Sequence, residues 1–384
     1  MEKKVIKKSD WVSNFTLVGK PVINDYTFKI DEKSEKSKWV YNSMNLGIDC
    51  GEKHGTVYAE MMGGYSEENE NRIYAHGKKE DGSDNFEEQV IVAWEDRFKD
   101  EVLEDIGDLS FITVGLEKTD KDKTFYQKFL SAYDAIYYIK EHLTEDTVVI
   151  VRGNLKYSEY NDNVQVRKNI TSIALSKADA SGYKATFTQS ILIDKDSASL
   201  KNIDKDKGVM FVDARVLDYV KEVKGIEVKG QYPFKKQFEF AMDFSNEVQC
   251  KKIAEKLFKV KKGITQVTME GDFIEGGAVA TASWDDIPDE IKDLVDIGVY
   301  SKDEALAKCT ANGSRERRMV MNKPMIKLVG DDKVPVIQKF EERFAEDDLY
   351  LDYLYKGKGN NDNSDEETAE ESGADTSMDW LNKL

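Results

Sequence analysis

Cysteine, histidine and proline are scarce in this sequence. The 384 residues include three cysteines, three histidines and five prolines. Cys50, Cys250 and Cys309 are far apart and no CxxC pair is present, so neither a disulfide framework nor a structural zinc site is expected. The few cysteines fit a reducing compartment, and the few prolines exclude long proline-rich linkers.

Long apolar runs and nucleotide-binding motifs are also missing. No apolar stretch approaches the roughly 20 residues of a membrane span, and the start, MEKKVIKKSDW, lacks the apolar region of a signal peptide. The chain has no P-loop, no GxGxxG after a strand and no HExxH. We therefore expect no membrane association, no catalytic residue, no metal and no cofactor. Asp285, Asp286 and Glu290 leave one enzymatic alternative open, a metal-dependent nuclease.

Acidic residues outnumber basic residues in this sequence. The formal net charge is -18, whereas broad, non-specific duplex binding needs a basic footprint. A nucleic-acid site in this chain must therefore be a local positive groove.

The most regular pattern present is a hairpin over residues 146–176. Val149, Val151 and Leu155 alternate along an extended strand, and Gly153 interrupts them, which is typical of a bulge. A turn and a second strand, residues 164–175, follow. One side of this hairpin is apolar. The other combines positive charge with aromatic rings, as a flexible polyanion with stacking bases requires, and its candidate residues are Arg152, Lys156, Tyr157, Tyr160, Arg167 and Lys168.

Residues 38–62 predict a second pair of strands with aromatic rings on the face away from the core. Val40, Met44, Leu46 and Ile48 share one face of the first strand, and Val57, Ala59 and Met61 share one face of the second. The opposite face carries Trp39, Tyr41 and Tyr58, near Lys38 and Lys53. Either these rings cover the sheet beneath a neighbouring loop, or they stack on unpaired bases.

The pattern recurs about 118 positions further along the chain. Residues 267–273 repeat the spacing of residues 149–155, and each copy follows an amphipathic helix, so two domains of one fold are expected. In the second half the spacing of phenylalanines in residues 234–244 indicates core. Its candidate binding residues are Tyr232, Lys235, Lys236, Arg315 and Arg317. Because Glu270 and Asp272 replace Arg152 and Asn154 there, we expect the first copy to hold most of the affinity.

Three other regions lie outside this repeat. Residues 65–85 are polar and glycine-rich, which predicts a mobile loop, and residues 335–354 have a helical pattern. From residue 356 onward the chain is polar and acidic, so it is expected to be disordered. This tail ends in an apolar tip that suits docking to a partner protein, through Met378, Asp379, Trp380, Leu381 and Leu384.

The order strand, strand, strand, helix, strand, strand is that of the oligonucleotide-binding (OB) barrel. Together with VVIVRGNLKYSEYNDNVQVRKNITSI and the tail ending MDWLNKL, it resembles the single-stranded-DNA-binding proteins of bacteria and their phages. The length, the insertions and the two expected barrels depart from the bacterial pattern and suggest a divergent, phage-encoded version, which leaves the usual tetramer in doubt. The resemblance implies binding of single-stranded DNA during replication, recombination or repair, and recruitment of partner enzymes by the tail.

The sequence thus predicts a mainly β protein with α insertions. Residues 1–180 form a first OB-like five-stranded Greek-key domain with an insertion at 65–125, residues 181–355 form a second with a helical insertion, and 356–384 are a tail. A cytoplasmic location is expected, the host cytoplasm if a phage encodes the chain. The alternative function is a structural, virion or protein-interaction protein built from β domains.

Overall fold

The structure is a computed structural model that describes residues 10–35, 37–161, 163–223, 225–276, 289–296, 301–302, 316–330, 332–349 and 351. Strands dominate the described residues, and helices are few. The strands are β1 (Ser13–Val22), β2 (Phe28–Lys33), β3 (Trp39–Asp49), β4 (Thr56–Ser66), β5 (Arg72–Lys78), β6 (Asp84–Ala93), β7 (Ile112–Lys118), β8 (Thr124–Phe129), β9 (Val149–Tyr160), β10 (Asn163–Leu175), β11 (Lys184–Ile193), β12 (Ala198–Asp204), β13 (Val209–Val223), β14 (Ile226–Ala241), β15 (Ile264–Gly276), β16 (Glu316–Pro324), β17 (Ile326–Val329), β18 (Val334–Ile337) and β19 (Lys339–Phe344). The α-helices are α1 (Asp100–Leu103), α2 (Ala132–His142), α3 (Glu247–Phe258) and α4 (Asp289–Asp296).

Five strands of the first half close into a barrel. β1 pairs with β3, β3 with β4, β10 with β9, and β9 with β1, all antiparallel. β4 and β10 close the ring in parallel, at Glu60 and Asn169. With α2 between the third and fourth of these strands, the barrel has the element order of the OB fold that the sequence predicted.

Alternation of apolar residues places the core inside this barrel. Val40, Met44, Leu46 and Ile48 are buried on β3, and so are Val149, Val151 and Leu155 on β9, because successive side chains of a strand point to opposite faces. Helix α2 covers part of the barrel with buried side chains of its own, and Ser131 caps the helix by accepting a hydrogen bond from the backbone N–H of Tyr133.

The second half repeats this order of pairings. β13 pairs with β14, β14 with β16 in parallel, β16 with β15, and β15 with β11, while β11 and β13 meet at the single pair Leu192 and Arg215. Helix α3 lies between the third and fourth strands of this ring. The predicted core is confirmed, since Phe234, Phe238 and Phe240 on β14 and Met242 directly after it are buried.

The two halves are joined through one sheet. β1 pairs antiparallel with β11, with Phe15 opposite Phe187, and a single hydrophobic cluster contains residues of both halves. The two expected barrels are therefore seen as two rings of strands that share a seam and not as separate bodies.

Each ring needs a glycine next to this seam. Gly153 pairs with Phe15, and Gly271 pairs with Phe187. A Cβ atom on Gly153 would lie 1.9 Å from the carbonyl oxygen of Asn169 and 2.8 Å from the ring of Phe15. On Gly271 it would lie 2.4 Å from the carbonyl oxygen of Val320 and 2.5 Å from the ring of Phe187. The bulges that the sequence predicted within the glycine-containing strands lie instead on the partner strands β10 and β16, directly beside the two glycines.

Two predictions about local structure were wrong. Residues 65–85, predicted to be a mobile loop, include the end of β4, all of β5 and the start of β6, and β5 and β6 form a hairpin with its own small core. Residues 335–344, predicted to be helical, belong to β18 and β19, because pairing with β17 and β15 outweighs the local pattern. Among the described residues, no helix has the length and apolarity that crossing a bilayer requires.

We predict that Gly153→Ala lowers the free energy of unfolding by about 1–3 kcal/mol or more, because the added methyl group overlaps backbone and ring atoms that are fixed by the barrel. Chemical denaturation followed by circular dichroism measures the change. Gly276→Ala on β15 is the control, since nothing lies within 4 Å of its added Cβ atom. Equal stability of the two variants would contradict the close approach at Gly153.

Candidate nucleic-acid interface

A groove with a volume of about 460 Å³ runs along the outer face of the first barrel. Its walls come from β3 and β4, from the β9–β10 hairpin, from the segment before β2, and from β13 of the second half. The lining residues are Tyr26, Lys29, Trp39, Ser43, Met44, Asn45, Glu60, Met61, Met62, Lys156, Tyr157, Arg167, Asn169, Asp218 and Tyr219.

Trp39 lines the groove, and Tyr41 stacks on Trp39 from the next outward position of β3. Both lie on the outer face of β3 because they alternate with the buried Val40 and Asn42. Their rings stack with centroids 5.0 Å apart and planes 17° apart. Both are half-buried, and burial, together with the charge of Glu32, raises the pKa of Tyr41. A stacked pair with partly open faces is a surface on which an aromatic ligand can stack.

Two of the predicted cations face each other on the groove. Lys156 and Arg167 are directly paired positions of β9 and β10. Each has a carboxylate partner: Lys156 Nζ lies 3.3 Å from Asp218 Oδ1, and Arg167 Nε lies 3.7 Å from Glu60 Oε1. The groove therefore carries a short row of charges in which the two cations lie between two carboxylates.

Glu60 is the carboxylate of this row with a shifted pKa. Burial raises its pKa, and the positive charges of Arg167 and Lys168 oppose that shift. Desolvation disfavours the charged form of a carboxylate, so Glu60 takes up a proton at a higher pH than an exposed glutamate does.

The other candidates on the first barrel are more dispersed. Tyr58 shares the outer face of β4 with Glu60, but it is paired with Gly47, about 20 Å along the strands from Tyr41 at 3.3 Å per residue. Arg152 is exposed on the outer face of β9, about 13 Å before Lys156. Lys38 is exposed directly before β3.

Two candidates lie beyond the groove. Lys53 forms an ion pair with Asp272 at 2.7 Å, which ties the β3–β4 turn to β15. Tyr160 is exposed at the end of β9, where it lines a second cavity of about 380 Å³ with Val220, Val223 and Phe234.

Tyr157 and Lys168 face the interior, and their assignment to the polar side of the hairpin was wrong. Tyr157 is buried, and its hydroxyl donates to Gln189 Oε1 at 2.8 Å. Lys168 Nζ lies 2.5 Å from the buried Glu275 and 4.7 Å from the ring of Phe273. Alternation already indicates both placements, since Tyr157 follows Leu155 by two residues and Lys168 precedes Ile170 by two.

In the second half, two candidates are likewise turned inward. Tyr232 is half-buried and packs edge-on against Phe234 at 4.8 Å. Lys236 shares the face of Phe234 and Phe238, and burial lowers its pKa. Tyr232 and Lys236 therefore lie on the core-facing side of β14, and their candidate role in binding stays a prediction.

Lys235 and Arg317 are exposed. Several predicted residues lie outside the described part of the chain: Arg315, Asp285 and Asp286, and the tail with its tip Met378, Asp379, Trp380, Leu381 and Leu384.

Sequence reasoning missed the groove residues of β13. Asp218 is almost fully buried and accepts hydrogen bonds from the backbone N–H groups of Tyr157 and Tyr219, each at 2.8 Å. Tyr219 is half exposed at the groove. A charged residue followed by a tyrosine inside a long apolar strand is a weak signal, and it does not indicate that the strand crosses to the other barrel.

Fold and groove define this protein as a β-barrel protein with an aromatic and cationic surface groove. The sequence model of the YorF family matches residues 65–270, more than half of the chain, and the chain therefore belongs to the YorF family. A comparison with curated proteins gave no match. Among solved structures, the wild-type single-stranded DNA binding protein from Thermus aquaticus is similar at 8% identity and a TM-score of 0.31, over 70% of this chain and 87% of that chain. A similarity this distant supports no functional assignment.

We predict that Lys168→Ala lowers the free energy of unfolding by about 3–5 kcal/mol, because it leaves the buried Glu275 without its cation. Denaturation midpoints measure this loss. Arg152→Ala is the control on the exposed face of β9 and is expected to change stability by at most about 0.5 kcal/mol. A Lys168→Ala protein of full stability but weakened oligonucleotide binding would return Lys168 to the candidate interface.

Proposed function

We propose that the protein binds single-stranded DNA through the groove of the first barrel, without chemistry on the strand. The observation that carries this proposal is a groove lined by Trp39, Lys156 and Arg167, in which Trp39 is stacked on Tyr41. Stacking rings beside cations fit a strand whose bases are unpaired, whereas a duplex hides its base faces.

The proposed mechanism combines electrostatic contacts to phosphates with stacking on bases. Lys156 and Arg167 contact phosphates and release counterions, which gives affinity without sequence preference. Trp39 and Tyr41 stack on successive bases. Asn45 and Asn169 on the groove supply amide groups that hydrogen-bond to base edges or sugars. Such binding coats and protects single strands during replication or recombination.

We further propose that the two rings are copies of one OB-like unit, residues 1–180 and 181–355, that have diverged in function. The repeated pairing order and the two glycines, Gly153 and Gly271, support this division. The positions that match Arg152 and Asn154 are acidic in the second copy, Glu270 and Asp272. The first copy therefore carries most of the binding. The acidic tail beyond residue 356 recruits replication or recombination enzymes through its apolar tip.

One titration tests the central proposal. We expect a fluorescently labelled single-stranded oligonucleotide to bind with an affinity that falls as salt rises, and to bind much more tightly than the matching duplex. Trp39→Ala combined with Tyr41→Ala is expected to weaken binding by about 1–3 kcal/mol for each base that loses its stacking partner. Fluorescence polarisation measures both effects without relying on the tryptophan signal.

The matched control replaces two exposed rings of the β5–β6 hairpin, Tyr74→Ala with Phe86→Ala. It is expected to keep the affinity of the unaltered protein. Unchanged affinity in the Trp39 and Tyr41 double variant would refute the assignment of this face, and equal affinity for duplex would refute single-strand binding.

We predict that Glu60→Gln tightens single-strand binding by about three- to tenfold at neutral pH, because one nearby negative charge no longer competes with phosphate for Arg167. In the unaltered protein, affinity should rise as pH falls through the raised pKa of Glu60, since protonation removes the same charge. Glu60→Gln should show a smaller rise.

Affinities measured at several pH values, for Glu60→Gln and for the control Glu87→Gln on the exposed β5–β6 hairpin, test this prediction. Identical pH profiles in all three proteins would exclude Glu60 as a competitor for the cation.

A structural or protein-interaction function is the second candidate, and one observation favours it. The β17–β18 hairpin exposes five aliphatic side chains, Ile326, Leu328, Val329, Val334 and Val336. Exposed apolar strands are typical of surfaces that contact another protein. Regular assembly in sedimentation experiments without nucleic acid, combined with no binding of oligonucleotides, would favour this function over the first.

A further inference from the structure

The β13–β14 hairpin belongs to the second half of the chain, yet it forms a wall of the first barrel's groove. β13 contributes Asp218 and Tyr219 to the lining, beside Lys156 and Arg167 of the first half. The groove is therefore complete only when both halves are present.

Asp218 fixes this hairpin in place. Its carboxylate is almost fully buried and accepts a hydrogen bond from the backbone N–H of Tyr157 at 2.8 Å. The same group lies 3.3 Å from Lys156 Nζ and accepts from the backbone N–H of Tyr219 at 2.8 Å. Hydrogen bonds to a buried carboxylate are strong and directional, so β13 is held across β9 at a defined position.

Tyr219 is the next residue along the strand. Just over half of its surface is exposed, 52%, although its backbone is anchored by a buried neighbour. Its side chain lines the groove together with Trp39 and Tyr26. An aromatic ring that remains open to solvent at an anchored position has the properties of a stacking platform, since its place is fixed before a ligand arrives.

The alternative interpretation is that Tyr219 is an ordinary exposed tyrosine that binds no ligand. Three observations on the groove favour a ligand: Tyr219 shares it with a ring of β3, cations of β9 and β10 lie on it, and the anchoring carboxylate also contacts one of those cations. Rings of two different elements beside phosphate-binding cations match the arrangement that holds single strands.

We propose that Tyr219 is a base-stacking residue, so that the strand-binding site is shared between the two halves of the chain. This inference rests on the proposed single-strand binding and deepens it. It also changes the expected role of the second half, which supplies a ring to the first groove instead of a groove of its own.

The test uses the full chain and a labelled oligothymidylate, with binding followed by fluorescence polarisation. Tyr219→Ala is expected to bind roughly 5- to 150-fold more weakly, the loss of one stacked base. Tyr219→Phe keeps the ring and is expected to bind within about threefold of the unaltered protein. The control is Tyr137→Ala, which removes an equally exposed tyrosine from α2.

The outcomes separate the two proposals. If the unaltered protein does not bind the oligonucleotide, the proposed function fails. If it binds, and Trp39→Ala weakens binding while Tyr219→Ala does not, only the role of Tyr219 is overturned. Equal losses in Tyr219→Ala and Tyr219→Phe would overturn stacking in favour of the hydroxyl group.

The melting temperature of each variant shows whether the substitution has disturbed folding. Should Tyr219→Ala melt at a lower temperature, Tyr219→Trp decides the question, because it restores a ring at the same position. Recovery of affinity in Tyr219→Trp supports the stacking role, and continued weak binding with a normal melting temperature overturns it.

Discussion

The close approach of backbone and ring at Gly153 and Gly271 is the constraint on which the rest of the structure depends. In each ring, a phenylalanine of the seam, Phe15 or Phe187, packs where a larger residue would place its Cβ atom. Because Phe15 and Phe187 are also directly opposed across the β1–β11 pair, the four residues form one row across β9, β1, β11 and β15 that joins the two rings. Tight packing of this kind leaves little freedom in the relative position of the two halves.

Across this seam, each half of the chain contributes a segment that contacts a strand of the other half. From the first half, the turn after β3 reaches β15, where Glu275 donates its backbone N–H to the His54 carbonyl and Lys53 pairs with Asp272. From the second half, β13 reaches β9, where Asp218 accepts from the Tyr157 N–H. The second of these contacts completes the groove, so the candidate site is a consequence of how the halves are joined.

The charges of the groove also follow from this arrangement. An acidic chain with a net charge of -18 holds its local cations, Lys156 and Arg167, beside carboxylates from other strands. The pairing offsets the charge of both cations, and any anionic ligand of the groove competes with these carboxylates for them. Under the proposed single-strand binding, this competition limits the gain from each phosphate contact, and base stacking supplies the discrimination against paired strands.

By itself, the sequence determined which face of each strand is buried. The alternation of Val40, Met44, Leu46 and Ile48 predicted the outward position of Trp39 and Tyr41, and Gly153 predicted a bulge. Where charge or aromatic character was preferred to alternation, at Tyr157 and Lys168, the assigned side of the hairpin was wrong. Each side chain has an interior partner, Gln189 for Tyr157 and Glu275 for Lys168. Only the tertiary structure decided which strands are neighbours, and hence that Tyr219 and Trp39 line the same groove. The relative position of residues so distant in sequence depends on the packing of whole sheets, which no local pattern encodes.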